Sequence, residues 1–488
     1  MNKELLIDKL FVGVGATIRD AMQVISLGEI GICFVVSGRD LLGVVTDGDI
    51  RRALLDGKML DNAITLVMRR DFFSLPTNTP VNFIQKNLST YKYIPIINQS
   101  GELVDLASAA RYHQIPLAQP ELDGNELEYL TDCIQSGWIS SQGKYVERFE
   151  KNFGDYVGCN HSLAVANGTA ALHLALVTLG IGPGDEVIVP DLTFAAPVNA
   201  ILYVGATPVL VDVDSKTMVI DLARVAAAIS ERTRAIIPVH LYGYPVDMVK
   251  LAALANKHNL MVIEDCAEAI GSRLEGAHVG TFGDAAIFSF FGNKTITTGE
   301  GGMVLFRDPS MRIRAKMLRD HGMSPDRRYW HDEIGFNYRL TNVQAAIGVA
   351  QLERVSFFVD RKRLIAKHYK NHLSGLEQLV LPGEPENAKS QNSYWLYTIV
   401  LKPAYAAMRD ELIGLLGNSG IDARRVFYPM HQMPPYKRYA SSGEVYENAN
   451  CLSDGGISLP SSVSVSESEI QRVCSVIRSL CLEGKTLG

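Results

Sequence analysis

The 488-residue chain has no Cys-x-x-Cys pair, no apolar run of bilayer length and no excess of basic residues. Its seven cysteines, Cys33, Cys133, Cys159, Cys266, Cys451, Cys474 and Cys481, are odd in number and scattered. That pattern fits neither a disulfide framework nor a zinc site, so reduced packing thiols and no bound metal are expected. Without a long apolar run there is no candidate transmembrane helix, and the Met1-Asn2-Lys3-Glu4 start leads into no signal-peptide pattern. The expected location is therefore the cytoplasm. Forty-seven Lys and Arg stand against 53 Asp and Glu, a net charge of -6 with both signs mixed along the chain. The absence of a polybasic stripe argues against nucleic acid or an anionic membrane as the main partner. Any anionic ligand must then be held locally.

The chain is long enough for two or three domains. Residues 1–110 alternate short apolar strands with amphipathic helical stretches, in two halves that look alike. Ile30-Val36 and Leu41-Val45 flank the turn Ser37-Gly38-Arg39-Asp40, and Tyr93-Asn98 and Leu103-Leu106 flank Gln99-Ser100-Gly101-Glu102, as expected of an internal duplication. The run Gly43-Val44-Val45-Thr46-Asp47-Gly48-Asp49-Ile50-Arg51-Arg52 resembles a CBS domain. By that resemblance Thr46 and Asp49 can hold the ribose of a regulatory nucleotide at a strand-to-helix junction, where a helix start also favours phosphate. Their alternative role is to cap the helix that follows. The second half continues Leu106-Ala107-Ser108 with no matching Thr-x-x-Asp, so one nucleotide site is expected rather than two.

Residues 111–120 read as a proline-punctuated linker. Beyond it, Val- and Ile-rich segments at Glu186-Pro190, Pro208-Val213, Ala235-Val239, Leu260-Glu264, Ala285-Phe290 and Met303-Phe306 alternate with helical stretches. This predicts an α/β domain over 121–374, with a mainly parallel sheet covered by helices on both faces. Asn342 to Val355 is predicted helical, with Val343, Ala346, Ile347, Ala350 and Leu352 largely on one side. Residues 375–488 mix a strand, Tyr394-Leu401, with helices at Ala406-Leu416 and Ser466-Leu480, which predicts a smaller α+β domain.

Four segments follow one another at predicted strand ends, where ligands bind in open α/β sheets. Asn167-Gly168-Thr169 opens an alanine-rich helix whose first N–H groups and dipole suit a phosphate; otherwise it is only a cap. Phe194 can stack on a flat ring, or simply pack. Asp265, in Glu264-Asp265-Cys266-Ala267-Glu268, can keep a pyridine nitrogen protonated, or cap the next helix. Lys294, in Gly292-Asn293-Lys294-Thr295, can form an imine with an aldehyde cofactor, with Ser289 as a further phosphate donor; its alternative is a surface lysine in a glycine-rich turn. Occurring together, the four favour a pyridoxal 5'-phosphate site.

From about Ile115 to the C-terminus the chain resembles the fold-type-I DegT/DnrJ/EryC1/StrS sugar aminotransferases. The resemblance rests on Gly137-Trp138-Ile139-Ser140-Ser141-Gln142-Gly143, the four segments above and Gly335-Phe336-Asn337-Tyr338-Arg339. The lysine loop and Phe427-Tyr428-Pro429-Met430-His431 look most like the GDP-perosamine synthases of that family. The resemblance implies that Lys294 is the Schiff-base lysine and the proton carrier, and that Asp265 is the partner of the pyridine nitrogen. It implies that Gly168, Thr169 and Ser289 hold the phosphate, Phe194 covers the ring and Glu268, a glutamine in many relatives, lies near the ring hydroxyl. Asn337 would reach the neighbouring subunit's cofactor phosphate in an obligate homodimer or higher oligomer. Tyr428 and His431 would contact the sugar nucleotide, and Arg424 and Arg425 beside them can meet a diphosphate.

The expected reaction moves an amino group from glutamate to a nucleotide-linked 4-keto-6-deoxy sugar for surface polysaccharide (O-antigen, lipopolysaccharide) biosynthesis. A lysine at 294 separates this chain from a dehydrating branch of the family that carries histidine there. The alternatives are a UDP-linked or other keto-sugar, or a non-catalytic sensor of cofactor or nucleotide sugar.

Overall fold

The computed structural model describes residues 7–483 except 29, 110, 113, 386, 442 and 443. The Met1-Asn2-Lys3-Glu4 start, residue 110 at the end of the expected CBS pair and residue 113 in the expected linker lie outside the described residues. The chain divides into two compact units, one reaching Gln114 and taking in Gly417–Gly420, the other made of Ile115–Leu416 and the chain from Ile421 onward.

The first unit repeats one motif. Its first half contains β1 (Phe11–Gly13), α1 (Ile18–Gly28), β2 (Ile32–Ser37), β3 (Asp40–Thr46) and α2 (Asp47–Leu55). Its second contains β4 (Leu75–Pro76), α3 (Val81–Leu88), β5 (Tyr93–Ile97) and β6 (Leu103–Ser108). In each half the middle strand pairs parallel with the first and antiparallel with the third, and the register slips at equivalent places, Val35/Val36 and Ile96/Ile97. The halves differ at their ends: α2 follows β3, whereas among the described residues no helix follows β6 before Gln114.

In the second unit α4 (Glu126–Ser136) and α5 (Lys144–Val157) lead into an alternating series. It runs β7 (Ser162–Val165), α6 (Gly168–Thr178), β8 (Glu186–Pro190), α7 (Ala195–Tyr203), β9 (Thr207–Val211), α8 (Leu222–Ala228), β10 (Thr233–Ile236), α9 (Met248–Lys257) and β11 (Met261–Asp265). A hairpin of β12 (Arg273–Leu274) and β13 (Ala277–His278) precedes β14 (Ala285–Ser289) and β15 (Gly302–Phe306). The seven-stranded sheet has the order β7-β15-β14-β11-β10-β8-β9, with β15 antiparallel to both neighbours and the other pairings parallel. Every residue of β7, β8, β14 and β15 is buried, as strands covered on both faces require. Ser289 pairs with Gly302, so the loop carrying Lys294 leaves and re-enters the sheet at facing residues.

After α10 (Pro309–Arg319), α11 (Asn342–Glu353) and α12 (Val355–Leu373) come β16 (Leu379–Val380), β17 (Tyr397–Leu401), α13 (Arg409–Asn418), β18 (Arg424–Arg425), α14 (Glu447–Gly455), β19 (Gly456–Leu459) and α15 (Glu467–Glu483). The four-stranded sheet β16-β17-β19-β18 packs with α12 and α15 over its own apolar cluster, which includes Tyr369, Ile399 and Ile477.

Three expectations need correction. α11 is buried on nearly every side, polar Asn342 and Gln351 included, because α4 and α5 both pack on it. The predicted one-sided stripe therefore understates its burial. The strand expected from Tyr394 begins at Tyr397: Asn392 Oδ1 accepts the Tyr394 N–H at 2.7 Å and Tyr394 takes φ 51°, a turn that extended backbone cannot contain. The helix expected over Ala406-Leu416 starts as a 3-10 turn, Pro403–Met408, and becomes α-helical only at Arg409.

Candidate active site

The strand period places the chemistry. Phe288 on β14 and Phe290 just past its end point into an aromatic cluster with Phe149 and Phe153, whose ring centroids lie 5.0–6.1 Å apart. Ser289, between them, faces the opposite side and lines a cavity of about 690 Å³. On β11, Glu264 faces away and is fully buried, while Asp265 lines the same cavity. Gly168, Thr169, Phe194, Glu268, Lys294, Arg424 and Arg425 complete the predicted residues in its wall.

Lys294 is no surface lysine. Its side chain is 13% exposed, with Nζ 3.2 Å from Glu268 Oε1 and 3.7 Å from the Trp395 ring centroid. Glu268 Oε2 is in turn fixed by the Tyr242 N–H at 2.9 Å. Asp265 receives the Ala267 N–H at 3.0 Å. Burial pushes its carboxyl up to about 6, with the nearby Glu268 charge adding to the rise and the Ala267 hydrogen bond and the Lys294 ammonium opposing it.

Asn167 caps α6 by accepting the Ala170 N–H at 2.8 Å, which leaves the Gly168 and Thr169 N–H groups in the unsatisfied first turn. A Cβ on Gly168 would stand 3.1 Å from Ser289 Cβ, so glycine is what permits this close approach. His173, on the same helix, meets the Tyr338 hydroxyl through Nδ1 at 2.9 Å, and burial lowers its proton affinity.

An aromatic wall closes one side. Trp395 stacks on Tyr242 at 6.1 Å, Tyr242 stacks on Phe427 at 5.9 Å, and Phe427 tilts against Phe194 at 5.8 Å. Trp395 and Tyr242 were not foreseen from sequence. Both lie outside the four segments, and only their aromatic character could have marked them. Thr193 was likewise missed, although it precedes Phe194.

Other predicted residues lie elsewhere. Asn337 is exposed, accepting from Arg339 Nε at 3.0 Å, and is not in the cavity wall of the single chain. His431 turns to fully buried Asp191, its Nδ1 2.6 Å from Oδ2, and stacks on Tyr446. Half-exposed Tyr428 lies under the Arg425 guanidinium, 3.4 Å from its ring centroid. In the first unit, Thr46 and Asp49 form a reciprocal cap. Thr46 Oγ1 accepts the Asp49 N–H at 3.2 Å, and the Asp49 carboxylate accepts from Thr46 N at 2.9 Å and Thr46 Oγ1 at 2.6 Å. Burial raises the proton affinity of Asp49, but these bonds and the Arg52 pair outweigh it and hold the carboxyl below its usual range.

The cavity suits a phosphorylated pyridine. Buried Thr193 Oγ1, Asn293 Oδ1 and Arg425 Nε lack hydrogen-bond partners among the described residues, and all three side chains line it. An unsatisfied helix start, a buried acid, a buried amine and an aromatic wall on the carboxyl edge of a mainly parallel sheet define a pyridoxal-phosphate-dependent enzyme of fold type I.

Comparison with known proteins narrows the class. The model of the DegT/DnrJ/EryC1/StrS aminotransferase family matches residues 120–478, and that of the CBS domain matches residues 1–56. The GDP-perosamine synthase of Caulobacter vibrioides is 47% identical over 365 residues, covering 75% of this chain and 97% of that protein. A UDP-N-acetyl-3-dehydro-alpha-D-glucosamine 3-aminotransferase of Acidithiobacillus ferrooxidans is 41% identical over 385 residues, 78% of this chain and 98% of that one. The crystal structure of the aminotransferase TlmJ from Streptoalloteichus hindustanus superposes with a TM-score of 0.71 at 32% identity, over 76% of this chain and all of that one. The chain belongs to the DegT/DnrJ/EryC1/StrS aminotransferase family, with a CBS domain at its N-terminus.

Proposed function

We propose that this enzyme transfers the amino group of glutamate to a GDP-linked 4-keto-6-deoxy sugar, as the name of its GDP-perosamine synthase relatives suggests, for surface polysaccharide biosynthesis. The observation that carries the reading is the placement of the Lys294 amine and the paired Arg424 and Arg425 in the wall of one cavity of about 690 Å³. That volume is ample for a ligand larger than an amino acid.

Pyridoxal phosphate, when bound, supplies an electron sink that lets a proton leave the carbon bearing the nitrogen. The chain's residues do the rest. Gly168 and Thr169 at the start of α6, with Ser289 at the end of β14, would hold the phosphate. Asp265, as its carboxylate, would keep the pyridine nitrogen protonated, and Phe194 would cover the ring. Lys294 Nζ takes the proton from the substrate carbon and delivers it again, and Glu268 holds that amine at 3.2 Å. Arg425 and Tyr428 meet the sugar nucleotide, and the aromatic wall from Trp395 to Phe194 excludes water.

The active form in this reading is a homodimer in the cytoplasm, with Asn337 of each subunit reaching the phosphate in the other's site. The domains are a CBS pair over 1–110, a linker over 111–120, a cofactor domain over 121–374 and a small domain over 375–488. The CBS pair serves regulation or assembly, with Thr46 and Asp49 at the ribose of a bound nucleotide. A UDP-linked keto-sugar is the second reading, favoured by the Acidithiobacillus relative.

The test is a panel of nucleotide-linked keto-sugars assayed with glutamate. Turnover is expected on the GDP-linked 4-keto-6-deoxy sugar and none with Lys294→Ala, which also loses borohydride trapping of the cofactor. Preference for a UDP-linked sugar would replace the first reading with the second, and wild-type turnover by Lys294→Ala would sink both.

A further inference from the structure

Lys362, on α12, is 4% exposed, and its Nζ donates to two main-chain carbonyl oxygens, Trp395 O at 3.0 Å and Ser461 O at 2.9 Å, rather than to a carboxylate. A buried ammonium satisfied only by carbonyls is costly, and the mechanism above does not use it. Its surroundings suggest why it is there. Trp395, whose carbonyl it holds, donates its indole N–H to Asn293 O at 2.8 Å and lays its ring 3.7 Å from Lys294 Nζ. Lys362 and Lys294 line the same small void of about 10 Å³, together with Asn293 and Thr295. Trp395 also begins the aromatic wall that continues through Tyr242 to Phe427.

We propose that Lys362 is a positioning residue for the catalytic amine: it pins the main chain at Trp395 and at Ser461, so that the indole stays against Nζ of Lys294 and the lysine loop is held from behind. Two carbonyls from separate parts of the chain converge on one ammonium, which fixes both more firmly than a single bond. Removal of the donor frees the Trp395 main chain, and the amine loses the surface that aims it. Burial pushes the Lys362 amine down to about 7, in keeping with this enclosed seat.

The inference concerns the amine donor half of the reaction and does not depend on which sugar is accepted. The experiment is single-turnover conversion of the cofactor by glutamate, followed by absorbance, in full-length holoenzyme carrying Lys362→Met. The expected result is a rate lowered on the order of tenfold, since small misplacements of reacting groups are expensive, with half-saturating glutamate little changed. Trp395 fluorescence should become more accessible to acrylamide; the other two tryptophans, Trp138 and Trp330, are already about half exposed. Trp395→Phe should lower the same rate, and the double variant should be no slower than the slower single, the mark of two residues acting as one unit. Where Lys362→Met does not fold, Lys362→Gln, which keeps a donor on a shorter stem, is expected to fall in the same direction. A folded variant with the wild-type half-reaction rate, or losses that add independently with Trp395→Phe, overturns the proposal. Failure of the wild-type protein to react with glutamate would count instead against the choice of amino donor.

Discussion

Asp265 sits at the bottom of a cavity with a carboxyl raised from 3.8 to about 6, chiefly by burial. The consequence for stability has a definite sign. A folded-state value above the unfolded one means that the native, cofactor-free protein binds the extra proton, so this group's contribution is fully present below pH 4 and is lost as pH rises through about 6. Thermal melts of the cofactor-free protein should show that decline between about pH 4 and 6, and Asp265→Asn should remove it; equal slopes in the two proteins would refute the assignment. At this scale the sequence was informative where a residue type dictates chemistry. Lys294, Asp265 and Ser289 could be proposed because an amine, an acid and a hydroxyl at strand ends have few other uses in combination. Trp395 and Tyr242 were not legible, because an aromatic beside a buried site lysine has the same signature as one in any core, and only the fold brings residue 395 to residue 294.

The start of α6 is an element built on close approach. A Cβ on Gly302 would lie 2.6 Å from Asn167 C and O and 2.9 Å from Gly168 N, all backbone atoms that cannot swing aside. Gly302→Ala should therefore displace the helix start. The expected outcome is a loss of about 1–3 kcal/mol in denaturant unfolding, as for overpacked sites, together with weaker pyridoxal phosphate binding by titration. Wild-type cofactor affinity in this variant would show that the helix start is not the phosphate seat. Elements were easiest to read where period and burial agree. Glu186–Pro190 carries the apolar run Val187-Ile188-Val189-Pro190 and is a strand over just the expected residues. Reading failed where side chains redirect the backbone, as Asn392 does at Tyr394, and where a helix is enclosed by others, as α11 is, since buried Asn342 and Gln351 look like a polar face until their partners are seen.

For the molecule as a whole, the open question is whether one chain suffices for one site. Exposed Asn337 lies outside the cavity wall of its own chain. If it completes a partner's site, co-expression of Lys294→Ala with Asn337→Ala chains should yield activity above either parent, because every mixed dimer carries one site with both residues intact. Activity no higher than the better parent would mean that each chain builds its own site. The broad architecture was legible because alternating apolar and amphipathic segments leave few foldings open. The assembly was not, because exposed residues carry little pattern of their own. Since Ser289 and Gly302 face each other across antiparallel strands, the segment between them is a closed loop with both ends anchored in the sheet. In the proposed reaction Lys294 is thus a tethered reagent, whose effective concentration at the substrate carbon would far exceed what a dissolved amine can reach. Small amines added to Lys294→Ala should therefore restore turnover only faintly, however well the cofactor still binds.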